Sequence, residues 1–265
     1  MNYSKEYQEV NRDSWNKRTP HHIESDFYAN EAFIEGMNSL NKIELDLIGD
    51  VKDKEVLHLQ CHFGQDTISF TRLGAKVTGV DLSDIAIAEA RKLAEKTNSD
   101  AQFIISDILE LDQNHNHAYD MVFSSYGTIG WLPDINQWAK IVSHFLKPGG
   151  KFVFAEFHPV VWMYDDDLKN IHYKYNNSGE IRESLDGTYA EKEASIEGEF
   201  IVWNHGLSEV INALINNGLT LEDFQEYDYS PYNCLAHMEK IGDRKYQVKH
   251  WSNKVPLVYS LVMSK

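Results

Sequence analysis

The stretch VLHLQCHFGQD, residues 56–66, decides the fold of this chain. Its apolar first half predicts a buried strand, and Gly64 marks a tight turn that leads into a helix. Seventeen residues after Gly64, Asp81 stands at the end of a second apolar run, AKVTGVDL. A strand, a turn, a helix and an acid at the end of the next strand are typical of a nucleotide-type site in an open α/β sheet.

The chemistry of this unit indicates what it binds. The turn and the helix N-terminus offer backbone N–H groups to a polar ligand. The carboxylate of Asp81 can accept two hydrogen bonds from a ribose diol. We therefore expect a ligand in which a ribose is joined to a polar group.

Strands and helices alternate on both sides of this unit. Ser83 is a plausible N-cap, and Lys147-Pro148-Gly149-Gly150 is a strong helix stop. The pattern predicts strands at 54–60, 75–82, 101–106, 119–125, 151–157, 219–227 and 257–263, and helices at 65–73, 84–97, 134–146 and 206–217. Such alternation predicts an α/β fold with a doubly wound, mostly parallel, seven-stranded sheet.

The segments outside this alternation predict additions to the sheet. Helical patterns at 5–18 and 31–48 indicate an N-terminal helical cap over residues 1–50, followed by an α/β core over 51–158. Residues 159–203 are rich in acids and aromatics, with a hairpin turn expected at 176–179, and predict a β-rich insertion or lid. Residues 204–265 complete the sheet and carry an irregular insertion at 228–254.

The bulk composition limits the partners. The chain has 265 residues and a formal net charge of −16, which repels phosphate backbones and anionic membranes. We expect a small-molecule partner and neither nucleic acid nor a membrane. Two cysteines give no disulfide framework, and the polar N-terminus lacks the apolar core of a signal peptide, so a cytoplasmic location is expected. The oligomeric state stays open.

The order of motifs resembles the class I methyltransferases that use S-adenosylmethionine. Five pieces match in order: VLHLQCHFG, VTGVDLS, the strand end at Ser106-Asp107, YDMVFSS, and LKPGG followed by KFVFAEF. Over residues 51–158 the resemblance rests on these motifs. Over residues 204–265 it rests on the order of helices and strands. It implies a Rossmann-like sheet, S-adenosylmethionine as cofactor, and in-line transfer of a methyl group to a small-molecule acceptor.

The first motif departs from the family pattern. His58 stands where the family usually has an acid, and Gln60 and His62 replace two glycines, while Cys61 and Gly64 match. A dinucleotide site needs its glycines for close approach to a pyrophosphate, so a nicotinamide-dependent oxidoreductase is disfavoured. Because the first motif departs from the family pattern, a protein that binds S-adenosylmethionine or S-adenosylhomocysteine without catalysis stays an alternative.

The resemblance implies the cofactor contacts residue by residue. Asp81 would bind the ribose, Asp107 the adenine amino group, and Ile108 the adenine ring through its N–H. The remaining expected contacts are His58, Gln60, Cys61, His62, Gly64, Leu82 and Ser124. Three of them have a structural alternative: Asp81 as a helix cap, Asp107 as a turn residue and Cys61 as a packing residue. His58 and His62 lie on a strand and a turn, so no metal site is expected there.

Aromatic and histidine residues are candidates for the acceptor side. The expected pocket residues are Trp15, Tyr28, Tyr126, Trp131, Trp203 and His205. His158 ends a strand, and the usual pKa of histidine suits a general base. A structural role for His158 is equally compatible with the sequence.

Overall fold

A seven-stranded sheet with helices on both faces forms the centre of the computed structural model, which describes residues 5–265. Eleven strands are described: β1 (Glu55–Leu59), β2 (Lys76–Asp81), β3 (Gln102–Ile105), β4 (Tyr119–Ser125), β5 (Leu146–Phe157), β6 (Ile181–Asp186), β7 (Glu197–Val202), β8 (Thr220–Tyr227), β9 (Met238–Gly242), β10 (Lys245–Val248) and β11 (Val258–Ser264). The α-helices are α1 (Glu6–Glu24), α2 (Asn30–Ile34), α3 (Lys42–Ile48), α4 (Gln65–Arg72), α5 (Asp84–Lys96), α6 (Ile135–Phe145) and α7 (Leu207–Asn216).

The sheet has the order β3-β2-β1-β4-β5-β11-β8. Pairings from β3 through β5 are parallel, and β11 is antiparallel to both of its neighbours. The predicted mostly parallel, seven-stranded sheet is confirmed. The strand order reverses between β1 and β4, and open α/β sheets bind ligands beyond the carboxyl ends of the strands at such a point.

The central strand β1 is buried on both faces, as parallel strands usually are. Leu57 and Leu59 belong to the core that packs against α6, whereas Val56 belongs to a second core on the other face. Helix α5 begins as predicted, because the Ser83 hydroxyl accepts a hydrogen bond from the Ala86 N–H at 2.9 Å.

The N-terminal helices differ from the prediction. Helix α1 continues through Pro20, where the sequence predicted an end before Thr19. A proline inside a helix costs about 3 kcal/mol. Thr19 and His22 are completely buried, and this packing opposes that cost. The prediction of one helix over 31–48 is wrong, because Gly36 has a φ of 116° and Arg244 binds the carbonyls of the intervening loop.

The two insertions are each built around a hairpin. In the first, β6 pairs with β7, but the turn is formed by residues 187–196, whereas 176–179, where the turn was predicted, precedes β6. The second insertion is less irregular than predicted, since β9 pairs with β10. No helix among residues 5–265 has the length and apolar character needed to cross a membrane.

Helix α1 and the β6–β7 hairpin form a cover over the carboxyl end of the sheet. The Asn11 amide pairs with both backbone groups of Ile201 in β7, at 2.8 Å each. The same helix also contacts the loops that follow β3 and β2. The Tyr7 hydroxyl donates to Asp107 after β3, and Asn16 accepts from the Ser83 hydroxyl after β2. We call α1 and the hairpin the cover.

Candidate functional site

The loop between β1 and α4 has an unusual backbone. Gln60, His62 and Gly64 adopt positive φ values of 55°, 51° and 84°. Such angles are unfavourable for residues with a Cβ atom and cluster at functional sites. A Cβ at position 64 would lie 2.7 Å from the Phe103 ring, so only glycine fits there.

The acid at the end of β2 lies directly against this loop. One carboxylate oxygen of Asp81 accepts from the His62 N–H at 2.8 Å, and the other accepts from the Ser83 N–H at 2.9 Å. Burial raises the pKa of Asp81 to about 6. A carboxylate offers about four acceptor positions, so Asp81 can still bind a diol.

Two residues of the first motif face the core. His58 lies 2.8 Å through Nδ1 from the Thr67 hydroxyl and packs on Phe123, and burial lowers its pKa to about 3. Cys61 is buried, and a Cβ at Gly79 would lie 2.8 Å from its sulfur. These contacts favour packing roles for both side chains.

The cover already binds the expected adenine acid. One oxygen of Asp107 accepts from the Leu109 N–H at 2.7 Å, and the other accepts from Gln8 Nε2 at 2.7 Å and from the Tyr7 hydroxyl. Ile108 is buried beside it, and Leu82 is half-buried. An adenine amino group at Asp107 would therefore compete with donors of which two come from α1.

A buried arginine lies among aromatic rings over the loop. The Arg18 guanidinium carbon lies 5.4, 5.3 and 4.7 Å from the ring centres of Trp15, Trp131 and Phe200. Arg18 is 8% exposed, and neither a carboxylate for its charge nor a hydrogen-bond partner for its Nε is found among residues 5–265. Burial lowers its pKa to about 10, so it stays cationic at neutral pH. We call these four residues the arginine cluster.

Two neutral histidines adjoin the arginine cluster. His22 Nδ1 lies 2.9 Å from His62 Nε2, and Trp15 packs on both rings. Burial is the main cause that lowers their pKa values, to about 2 for His22 and about 3 for His62. In the described part of the chain, His22 Nε2 and Gln60 Oε1 are buried without hydrogen-bond partners.

A second group of polar residues flanks the other side of the loop. Asp66, in the first turn of α4, accepts from the Ser39 hydroxyl, and the rings of Tyr126 and Tyr232 lie 5.2 Å apart. Glu44 of α3 is fully buried, and burial raises its pKa to about 7, with a further contribution from Asp66. We call Glu44, Asp66, Tyr126 and Tyr232 the acidic cluster.

Three predicted residues lie apart from both clusters. His158 lies 2.9 Å from Glu226 through Nε2, and its Nδ1 accepts from the Val160 N–H at 3.2 Å. His205 lies 2.8 Å from the Leu132 carbonyl, and Trp203 packs on Tyr7. Their predicted roles stay predictions, and these contacts suit structural roles.

The other predicted residues lie at or near the loop. Tyr28 packs on His62 and Phe63, Trp131 belongs to the arginine cluster, and Ser124 is buried at the end of β4. Arg18, Glu44, Asp66 and Tyr232 were not predicted from the sequence. Asp66 had a local signal, since it lies two residues after Gly64 in the first turn of α4.

The charged, hydrogen-bonding and aromatic groups at the loop fit S-adenosylmethionine. The unpaired Arg18 cation suits the carboxylate of the cofactor, and the unpartnered Gln60 Oε1, for which no donor is found among residues 5–265, suits its ammonium group. Asp81 suits the ribose diol, and the faces of Trp15 and Tyr28 suit a sulfonium cation.

Comparison with known proteins finds similarity to methyltransferases. Residues 56–150 match a family model described as a methyltransferase domain. A ubiquinone biosynthesis O-methyltransferase from Pseudoalteromonas translucida (strain TAC 125) is 26% identical over 213 residues, which cover 78% of this chain and 87% of that protein.

Solved structures share the fold at low sequence identity. A putative S-adenosylmethionine-dependent methyltransferase from Listeria monocytogenes has a TM-score of 0.57 at 21% identity, covering 83% of this chain and 94% of its own. A geranyl diphosphate C-methyltransferase from Streptomyces coelicolor A3(2) has a TM-score of 0.62 at 14% identity, covering 98% of both chains. The matching domain, the sheet and the named relatives together support a class I S-adenosylmethionine-dependent methyltransferase.

Proposed function

We propose that this methyltransferase acts on a small molecule and binds the two ends of its cofactor at Arg18 and Asp81. The observation that supports this placement is Arg18, a buried cation for which no carboxylate partner is found among residues 5–265. An unpaired buried charge is costly, so such a residue is explained best by an anionic ligand. The carboxylate of S-adenosylmethionine is such an anion.

The neighbouring residues would orient the other parts of the cofactor. Gln60 Nε2 donates to the Thr128 carbonyl at 2.8 Å, which fixes the side-chain amide and leaves Oε1 for the ammonium group. His62 presents its N–H to Asp81 and its ring to His22, so the loop and the acid keep their spacing. Preorganised donors and acceptors of this kind position a ligand at little cost when it binds.

When bound, S-adenosylmethionine supplies a methyl group that the sulfonium already activates. The protein has to hold the acceptor in line with the methyl carbon and exclude water. The loop after β4 is held for this task by Glu156 of β5, which accepts from the Thr128 N–H at 2.7 Å and from the Gly127 N–H. The cover would exclude water from above.

The curated relatives support a small-molecule acceptor. They are named as O-methyltransferases of ubiquinone biosynthesis, which favours a hydroxyl group as the accepting atom. The net charge of −16 also disfavours nucleic acid as the acceptor.

The proposal is tested by cofactor binding and by methyl release. Calorimetry with S-adenosylhomocysteine should show binding to the wild type and much weaker binding to Arg18→Met, with Arg12→Met as the control on the exposed side of α1. Labelled S-adenosylmethionine should transfer its methyl group to a member of a panel of hydroxyl, amine, thiol and carboxylate acceptors. Tight binding without any turnover would favour the non-catalytic binding protein, and unchanged binding to Arg18→Met would contradict the placement.

A further inference from the structure

Glu156 in β5 is a buried acid whose two oxygens are fully occupied by the protein itself. It is 2% exposed. Its Oε1 accepts from the N–H groups of Gly127 and Phe157, the second at 2.7 Å. Its Oε2 accepts from the Thr128 N–H at 2.7 Å, from the Thr128 hydroxyl at 2.9 Å and from the Ile129 N–H at 3.3 Å. A carboxylate offers about four acceptor positions, so Glu156 has none left for a ligand.

The arrangement of donors favours an ionised Glu156 that holds the loop after β4 tightly. Each oxygen faces at least one N–H group, so a proton on either oxygen would point at another donor. Burial raises the pKa of Glu156, and the backbone N–H groups of Thr128, Gly127 and Phe157 oppose that rise. Hydrogen bonds to a charged acceptor are about twice as strong as those between neutral groups. Four of the five donors belong to residues 127–129, so the acid fixes the backbone of this short segment.

The Ile129 N–H sets the direction of the Thr128 carbonyl. The two groups belong to one peptide unit, which is trans, and in a trans unit the C=O and the N–H point in opposite directions. Because the N–H points at Glu156, the carbonyl points away from it. This carbonyl lies 2.8 Å from Gln60 Nε2. Glu156 and Gln60 therefore bind opposite ends of the same peptide unit.

The Thr128 carbonyl decides which end of the Gln60 amide is free. A carbonyl oxygen only accepts hydrogen bonds, so the amide has to turn its NH₂ group towards Thr128 and its Oε1 away. Oε1 is buried, and no donor for it is found among residues 5–265. In the proposed placement Oε1 accepts from the ammonium group of the cofactor. A rotated peptide unit would allow the amide to reverse, and its NH₂ group would then face another donor.

We propose that Glu156 is a positioning residue for the cofactor: through the peptide unit between Thr128 and Ile129, it keeps Gln60 Oε1 directed at the ammonium group. This inference rests on the proposed function. Because its oxygens are saturated by the protein, Glu156 acts on the ligand only through Gln60. Its effect should be confined to the ammonium group and should not extend to the carboxylate of the cofactor.

The arginine cluster is held by contacts that do not involve Glu156. The Gly130 carbonyl accepts from the N–H of Trp203, directly after β7, at 2.7 Å. The Trp131 ring packs with its centre 5.1 Å from that of Trp15 in α1. The residues after the peptide unit are thus held by the cover and its neighbour in the chain. A change at Glu156 should leave the binding of the cofactor carboxylate in place.

The experiment measures the binding of two ligands by calorimetry. They are S-adenosylhomocysteine and its deamino analogue, in which a hydrogen atom replaces the ammonium group. We expect Gln60→Met and Glu156→Gln each to bind S-adenosylhomocysteine roughly ten- to 100-fold more weakly, because a hydrogen bond to a charged group is lost. Both variants should bind the deamino analogue within about twofold of the wild type. Glu95→Gln, at an exposed position of α5, is the matched control and should bind both ligands as the wild type does. Adding Glu156→Gln to Gln60→Met should cause no further loss, since both changes remove the same contact.

The pair of ligands separates a positioning role from a general loss of structure, which would weaken both. Glu156→Asp keeps the charge on a side chain shorter by one methylene group, and it carries the same comparison if Glu156→Gln does not fold. Gln60→Met that binds both ligands as tightly as the wild type would contradict the ammonium contact of the proposed function. A selective loss in Gln60→Met, together with Glu156 variants that weaken both ligands equally or neither, would overturn the positioning role of Glu156.

Discussion

Individual residues at this site carry charges that the surrounding protein does not balance. Arg18 has no carboxylate partner in the described part of the chain, and Glu44 forms no ion pair there. Both side chains are at least nine-tenths buried. Unpaired buried charges destabilise a fold. Removing the charge of either residue should therefore stabilise the protein, and at Arg18 it should at the same time weaken function.

Replacing Arg18 should separate stability from binding. Arg18→Met keeps an apolar side chain of similar length among Trp15, Trp131 and Phe200 and removes the buried charge. We expect the free protein to gain roughly 1 kcal/mol or more, and S-adenosylhomocysteine to bind at least about tenfold more weakly. Urea unfolding and calorimetry measure the two effects. A variant that is both less stable and equally tight in binding would contradict the role of Arg18.

Asp81 should make cofactor binding dependent on pH. Its pKa of about 6 means that it loses its charge as the pH falls below that value, and a protonated carboxyl accepts hydrogen bonds from a diol less well. Calorimetry should show affinity falling between about pH 7.5 and 5 in the wild type. Asp81→Asn should bind roughly ten- to 100-fold more weakly and show little pH dependence, whereas the exposed Asp100→Asn should follow the wild type. A flat wild-type profile would refute the assignment.

Glu44 should affect the pH dependence of folding in the opposite sense to a salt-bridged acid. Its pKa rises from 4.5 to about 7 on folding, so the folded state prefers the protonated form. The associated stability is present below about pH 4.5 and is lost as the pH rises through about 7. Glu44→Gln should therefore gain melting temperature relative to the wild type as the pH rises from about 5 to 8, and Asp46→Asn, at an exposed position of α3, should not. A constant difference between the curves would argue against a buried, titrating Glu44.

At the scale of elements, the sequence predicted the sheet well and the cap poorly. Strands such as β1 and β4 are short apolar runs between turn signals, so their positions depend on local sequence. The continuation of α1 past Pro20 depends on other segments that bury Thr19 and His22, and no local pattern encodes it. The same reason explains the missed residues: charged positions such as Arg18 predict solvent exposure, and only distant packing buries them.

The contribution to stability of the contact between α1 and the β6–β7 hairpin can be tested by replacing Asn11. Its amide makes two 2.8 Å hydrogen bonds with the backbone of Ile201, in the manner of a strand neighbour. Asn11→Ala leaves two buried backbone groups unpaired, which should cost about 2 kcal/mol in urea unfolding. Asn212→Ala, at an exposed position of α7, should cost little. Equal effects of the two substitutions would show that the contact between α1 and the hairpin contributes no stability.

At the scale of the whole molecule, the candidate site lies between the sheet and a cover that comes from two distant parts of the chain. Asp81 and the loop were predicted from their order in the sequence, whereas the pairing of α1 with a hairpin some 190 positions away was not. Long-range pairing of this kind leaves no local pattern in the sequence. The division of the chain into cap, core and insertions stays a prediction.

The cover should move when the cofactor enters. In its predicted role Asp107 would bind the adenine amino group, which would compete with Tyr7 and Gln8 of α1 for this carboxylate. Hydrogen exchange should therefore report measurable opening of α1 in the free protein, and slower exchange of α1 and the β6–β7 hairpin in the S-adenosylhomocysteine complex. The strands β1 and β4 serve as the internal control, because they should change little. Protection confined to the sheet would show that α1 is not part of the entry route.

The isolated cation in the arginine cluster has a further effect inside a living cell. On the proposed placement, the ligand supplies the counter-charge that the polypeptide lacks, so the loaded protein unfolds less often than the empty one. Quality-control proteases degrade chains mainly while they are unfolded. The amount of this enzyme should then follow the supply of the methyl donor, so that starvation for methionine lowers its abundance even at constant synthesis.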